Sequence, residues 1–164
     1  LGIGASRRVK MWPEEKWIEL GRKLAEKKYR VAVFCSFAEK KQGSRITKGI
    51  GEGARLYMGL DFLRLSFFIN KLRIFIGNDS GLRHIAAALG RKTVTLFGPE
   101  NPFEWHPYSE ARGHIAISKL AEFEAKGIDT LNRKFREKSM EPINSISVEQ
   151  VLEAAEKLLN RADG

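Results

Sequence analysis

The stretch from Ile74 to Pro99 restricts the fold of this chain more tightly than any other. Ile74, Phe75 and Ile76 form an apolar run that breaks off at Gly77-Asn78-Asp79-Ser80-Gly81. A helix-like run follows, with Ile85, Ala88 and Leu89 on one face, and Lys92–Phe97 reads as a second apolar strand closed by Gly98-Pro99. Strand, polar turn, helix and strand make a βαβ unit, whose first turn falls where α/β proteins hold their ligands. The first N–H groups of a helix have no acceptor within it, so that turn favours an anion.

The residue types of the turn suit this reading. Asn78, Asp79 and Ser80 are all good N-cap formers, so the helix is expected to be capped by its own side chains. Gly77 and Gly81 carry no Cβ, which admits close approach of backbone or ligand. His84 lies four residues after Ser80 and projects from the same face, where its imidazole can donate a hydrogen bond to a phosphate oxygen. An ordinary capped helix with a packing histidine uses the same residue types, and the spacing does not separate the two.

The alternation extends in both directions. Leu1–Ala5 reads as a strand leading into a Ser6–Lys10 loop, and Pro13 suits the first turn of a helix carrying Trp17, Leu20 and Leu24. Arg30–Phe34 and Ala54–Met58 read as strands around a helix in Ala38–Lys48. Asp61 is expected to cap a helix holding Leu63, Phe67 and Phe68 and ending at Asn70. Gly113–Ser118 supplies a last strand, and Ser147 with Gln150 makes a capping box for the terminal helix. Strands separated by single helices predict an α/β fold with a doubly wound, mostly parallel sheet. The basic segment Lys119–Met140 is expected to hold one or two helices, with Leu120, Phe123, Leu131 and Phe135 as its apolar points.

Size and charge narrow the class. A chain of 164 residues predicts a single domain over residues 1–164 with a sizeable core. No apolar run approaches the roughly 20 residues of a membrane span. A start inside a strand, with no Met and no secretory leader, leads to the expectation of a fragment. Cys35 is the one cysteine, which excludes an internal disulfide and a cysteine-based zinc site and fits a reducing cytoplasm. Lys and Arg number 29 against 20 Asp and Glu, a net charge of +9, so anionic partners are favoured. Arg7, Arg8 and Lys10 form one basic cluster, expected to face the ligand crevice. Arg133, Lys134, Arg136 and Lys138 form another, expected to be a solvated helix face. No nucleic-acid-binding pattern is evident, and no nucleic acid partner is expected.

Three elements carry a resemblance. Gly77-Asn-Asp-Ser-Gly-x-x-His84-x-Ala-Ala-Ala-Leu-Gly90, followed by Thr93-Val-x-Leu-Phe-Gly-Pro99 and Trp105, is similar to the signature of the heptosyltransferases of glycosyltransferase family 9. Gly4-Ala5-Ser6 before Lys10-Met11-Trp12-Pro13 resembles the element that opens the C-terminal domain of that family, and Ile146–Leu159 resembles its closing helix. The resemblance implies a Rossmann-like domain, the C-terminal half of a two-domain GT-B type enzyme. It also implies a nucleotide-diphosphate sugar, ADP-heptose in the name-giving members, as donor. The implied acceptor is lipid-linked or polysaccharide, bound with a separate N-terminal domain, and a peripheral site on the inner face of the cytoplasmic membrane is expected. The family's cysteines in the region of Lys119–Met140 have no counterpart here.

Both turns at the sheet's carboxyl edge enter the expected site. A pyrophosphate there would meet the N–H groups of Ser80 and Gly81, the Ser6 hydroxyl and the Lys10 ammonium. The resemblance places Lys10 at the phosphate and sugar, Ser6 at the phosphates, Asp79 at sugar hydroxyls and Glu39 at the ribose. A helix cap for Asp79 and a surface ion pair with Lys40 or Lys41 for Glu39 remain open. Trp12 and Trp17 are read as packing residues. The expected reaction is inverting sugar transfer in which Lys10, His84 and the helix tip stabilise the leaving diphosphate. No metal or cofactor is expected, because no Asp-x-Asp motif occurs. The acceptor's base would come from the other domain, so the chain alone is expected to have little activity. A sugar-nucleotide epimerase half and a basic polyanion-binding module are the alternatives.

Overall fold

The computed structural model describes residues 1–161. Its strands are β1 (Val31–Cys35), β2 (Ala54–Met58), β3 (Ile74–Asn78), β4 (Lys92–Phe97) and β5 (His114–Ser118), all paired in parallel. The order β2-β1 forms one group and β3-β4-β5 the other. Residues 1–4 lie between them. Gly2 bridges both Phe34 and Gly77, its N–H donating to Ile76 O at 2.8 Å and its carbonyl accepting from Asn78 N at 3.1 Å. Counted with this opening segment, the order is the 3-2-1-4-5-6 arrangement of doubly wound sheets, and the switch point falls between the opening segment and β3.

Gly77 shows why this seam is narrow. A Cβ there would stand 2.6 Å from the Phe75 ring and 3.1 Å from Gly2 O, so only glycine lets the strands meet.

Helices α1 (Glu14–Glu26), α2 (Lys40–Ile50), α3 (Phe62–Asn70), α4 (Gly81–Ala88) and α5 (Pro102–Trp105) precede β5. Helices α6 (Leu120–Ala125), α7 (Arg133–Lys138), α8 (Glu141–Asn144) and α9 (Val148–Leu159) follow it. Side chains alternate across each strand, so Val31, Val33 and Cys35 join Ile76, Val94 and Leu96 on one face against α1, α2 and α9. Phe34 and Phe75 point to the other face and pack with Ile69 of α3 and Ala86 of α4. Trp12 and Trp17 are fully buried, edge to face at 4.8 Å, as their packing role requires. No helix among the described residues is long and apolar enough to cross a membrane.

Several expectations need correction. Helix α4 has Ser80 at its N-cap without a side-chain bond, and Asn78 and Asp79, the other expected caps, are engaged elsewhere. On α4 the fully buried residues are Arg83 and Ala86, while Ala88 is exposed. On α3, Leu63 and Phe67 face outward, while Phe68 packs inward as expected, joined by Leu65 and the fully buried Ile69, with Leu60 packing at the helix entry. Between α6 and α7, Leu131 is exposed, whereas Leu120 and Phe123 are buried. The second basic cluster is not uniformly solvated: Arg136 turns inward and donates to Glu100 at 2.6 Å. Asp61 caps α3 through Arg64 N, and the Ser147–Gln150 capping box forms.

Candidate functional site

The carboxyl ends of the central strands open into a cleft of about 800 Å³. Two walls meet there. The loop after the opening segment supplies Gly4, Ser6, Arg7 and Lys10, and the turn after β3 supplies Asp79, Ser80, Gly81 and His84. The remaining side is apolar, with Phe34, Tyr57, Leu60 and Leu65 from the β1–β2 half. The Phe34 and Tyr57 rings stack at 5.2 Å.

Asn78 fixes the two turns to one another. It is fully buried, its amide donates to Ile3 O at 2.7 Å, and its carbonyl accepts from Trp12 N at 3.1 Å. The loop carrying Lys10 is thereby clamped to the end of β3. Behind it, Gly98 lets the chain pass close, since a Cβ there would lie 2.5 Å from Val9 O.

Asp79 is buried between two cations. One carboxylate oxygen pairs with Lys10, and the other accepts from Arg83 Nε at 2.9 Å. A helix cap for Asp79 is thus excluded by its geometry. Arg83 is itself 1% exposed, lies over the Phe97 ring and donates through Nη2 to Trp105 O at 2.5 Å. Each charge in this group has a partner, which is what keeps buried ions tolerable.

The tip of α4 is left open. Ser80 Oγ is buried and has no hydrogen-bond partner, and a Cβ on Gly81 would meet nothing within 4 Å. The N–H groups of the first turn carry the positive end of the helix dipole into this space. Ser6 is exposed on the opposite wall. His84 also lines the cleft, and its Nδ1 lies 2.6 Å from the Tyr108 hydroxyl. Burial, followed by the Arg83 charge, pushes the imidazole below its ordinary pKa, which favours the neutral form.

Glu39 reaches the cleft floor beside Gly4. One of its oxygens accepts from both Ser36 N and Ser36 Oγ at 2.8 Å. The structure therefore brings Ser6, Lys10, Glu39, Asp79, Ser80, Gly81 and His84 around one cleft. Among the described residues, no group of three or more His, Cys, Asp or Glu side chains is placed to hold a metal ion.

Sequence reading missed Arg83, Glu100 and Tyr108. Arg83 had a signal, its i,i+4 spacing from Asp79. Glu100, which pairs with both Arg7 and Arg136, and Tyr108 lie in irregular chain where no periodicity points to them.

A parallel sheet in this order, with its cleft at the switch point, defines a Rossmann-type α/β domain. A family model described as glycosyltransferase family 9 (heptosyltransferase) matches residues 2–133, and the chain belongs to that family. Lipopolysaccharide heptosyltransferase 1 of Pseudomonas aeruginosa is 32% identical over 108 residues, covering 65% of this chain and 30% of the relative. The solved Escherichia coli ADP-heptose lps heptosyltransferase II aligns with a TM-score of 0.79 at 27% identity, over 96% of this chain and 45% of that one. An Escherichia coli heptosyltransferase solved with ADP shares the fold, with a TM-score of 0.74 at 19% identity over 95% of this chain and 42% of its own. The chain thus spans 30% of this curated relative and less than half of each solved chain.

Proposed function

We propose that this chain binds the nucleotide-diphosphate sugar donor, ADP-heptose by preference, for transfer to a lipopolysaccharide core or related surface-glycan acceptor. The observation that carries the reading is the open tip of α4, where Gly81 leaves the first turn uncovered beside the cleft that Lys10 enters from the opposite wall. A diphosphate seated there accepts from the first-turn N–H groups and the Lys10 ammonium, with Ser6 alongside. The base rests against the apolar Phe34–Tyr57 wall, and Glu39 accepts from the ribose hydroxyls. Asp79 holds Lys10 at the floor and offers its carboxylate edge to the sugar.

When the glycosidic bond breaks, charge grows on the departing diphosphate. Lys10, the α4 tip and a His84 N–H are prearranged to meet it, which is electrostatic stabilisation without a covalent intermediate. Acceptor binding and deprotonation are assigned to a separate domain of the enzyme, consistent with the share of its relatives that the chain covers. A lipid-linked acceptor would bring the enzyme to the membrane surface.

Family membership supports transfer over epimerisation or generic polyanion binding. Calorimetric titration with ADP, UDP and GDP, and thermal shift with the same nucleotides, test the reading. ADP should bind best and raise the melting point. Equal, steeply salt-dependent binding of any polyanion would refute it.

A further inference from the structure

The three histidines of the chain converge on one tyrosine. The Tyr108 ring lies 5.7 Å from His84, 5.4 Å from His106 and 5.1 Å from His114, centroid to centroid. His114 is anchored in turn, its Nδ1 being 3.0 Å from Thr93 Oγ1 on β4. The segment bearing Tyr108 is tied to α4 at two consecutive residues: Arg83 donates to Trp105 O, and His84 meets the Tyr108 hydroxyl. His84 lines the cleft, whereas Tyr108 stands behind it against His106 and His114.

A phenol is the stronger acid and a neutral imidazole the stronger base, so the hydroxyl proton points at Nδ1, which accepts it. A neutral imidazole carries one N–H. With Nδ1 occupied as acceptor, that N–H must be on Nε2. From this geometry we propose that Tyr108 is a positioning residue that locks the His84 ring as its Nε2–H tautomer and presents that N–H to the diphosphate. The proposal rests on the donor-site reading above. It adds a residue outside the cleft that decides whether His84 is a donor or an acceptor there. A His84 in the other tautomer would turn a lone pair toward the anion and repel it.

The test is the free chain, wild type and Tyr108→Phe, which removes the hydroxyl and keeps the ring packed among the histidines. Imidazole ¹⁵N resonances of His84 report the tautomer directly, and ADP titration reports the consequence. Expected are an Nε2–H signature in the wild type and ADP binding weakened about three- to tenfold in Tyr108→Phe, with an unchanged melting point. In a His84→Ala background the same substitution should cost nothing, because Tyr108 acts through the imidazole. An Nδ1–H signature in the wild type, an undiminished affinity in Tyr108→Phe, or an equal loss in the His84→Ala background overturns the proposal. If the wild type binds no ADP, the donor-site reading fails by itself, and the ¹⁵N signature decides the fate of Tyr108.

Discussion

Lys10 and Asp79 meet as an ion pair across the switch point, the ammonium from the loop after the opening segment and the carboxylate from the turn after β3. Because Arg83 holds the other Asp79 oxygen, Lys10 can swing toward a ligand without leaving a buried carboxylate alone. Lys10→Ala should therefore fold normally and bind ADP about ten- to a hundredfold more weakly, the loss of one charge-assisted contact. Isothermal titration measures it. Wild-type affinity in the variant would remove Lys10 from the site.

Arg83 is a stability residue as well as a charge. Replacing it with Met leaves Asp79 with Lys10 alone and releases the Trp105 carbonyl. Breaking a buried pair from one side costs about 3–5 kcal/mol, and the remaining Lys10 contact argues for the lower end. Urea unfolding of Arg83→Met should show a loss of about 3 kcal/mol; a midpoint equal to that of the wild type would mean that the buried guanidinium contributes nothing.

Asn78 clamps the two ligand-facing turns, and Asn78→Ala would orphan Trp12 N–H and Ile3 C=O in a fully buried place. A loss of about 2–4 kcal/mol is expected, since each stranded group costs about 1–3. Nucleotide affinity should fall as well, because the Lys10 loop is no longer registered to β3. An unfolding curve with a normal midpoint but weakened binding would confine Asn78 to the site alone.

Burial, followed by the Arg83 and His114 charges, pushes His106 down to about 4, and His84 and His114 are also lowered, burial being the first cause in each. The unfolded chain takes up these protons near pH 6.5 while the folded chain does not, so the unfolded state binds more protons between those values. Stability is full above about pH 6.5 and is lost as pH falls toward 4. For His106, after a discount for solvent screening, the loss is about 1–2 kcal/mol, or roughly 2–8 °C in Tm. Calorimetry from pH 8 to 5 should show a plateau and then a decline that His106→Phe flattens. A Tm independent of pH down to 5 would contradict this.

What was legible before folding follows from chemistry that acts over short spans. The apolar runs around Val33, Ile76 and Val94, the Asp61 cap and the Ser147 box are local patterns, and each formed within a residue or two of its expected place. The polar turn at residues 77–81 was legible for the same reason. What escaped was partner choice across long separations. For Asp79 the sequence leaves a sugar-hydroxyl role or a helix cap, yet Lys10 claims its carboxylate from 69 positions away. Arg136 reaches back to Glu100, and Arg7 donates to the Arg136 carbonyl, which no helical spacing encodes. Leu63 is apolar yet faces solvent, since a short helix hides only the side it turns to the sheet, and Leu131 is exposed in the turn before α7.

The opening segment has one more consequence. Gly2 bonds to β3 while its neighbours Leu1 and Ile3 bond to β1, so among the described residues this short segment is the stitch that joins β1 and β2 to the other three strands within the sheet. The cleft straddles that stitch, with Glu39 and Tyr57 on one bank and Ser80 and His84 on the other. An occupant bridging both banks would act as a rivet at the weakest joint of the molecule, so amide exchange at Gly2 and Asn78 should slow far more than elsewhere once the cleft is filled.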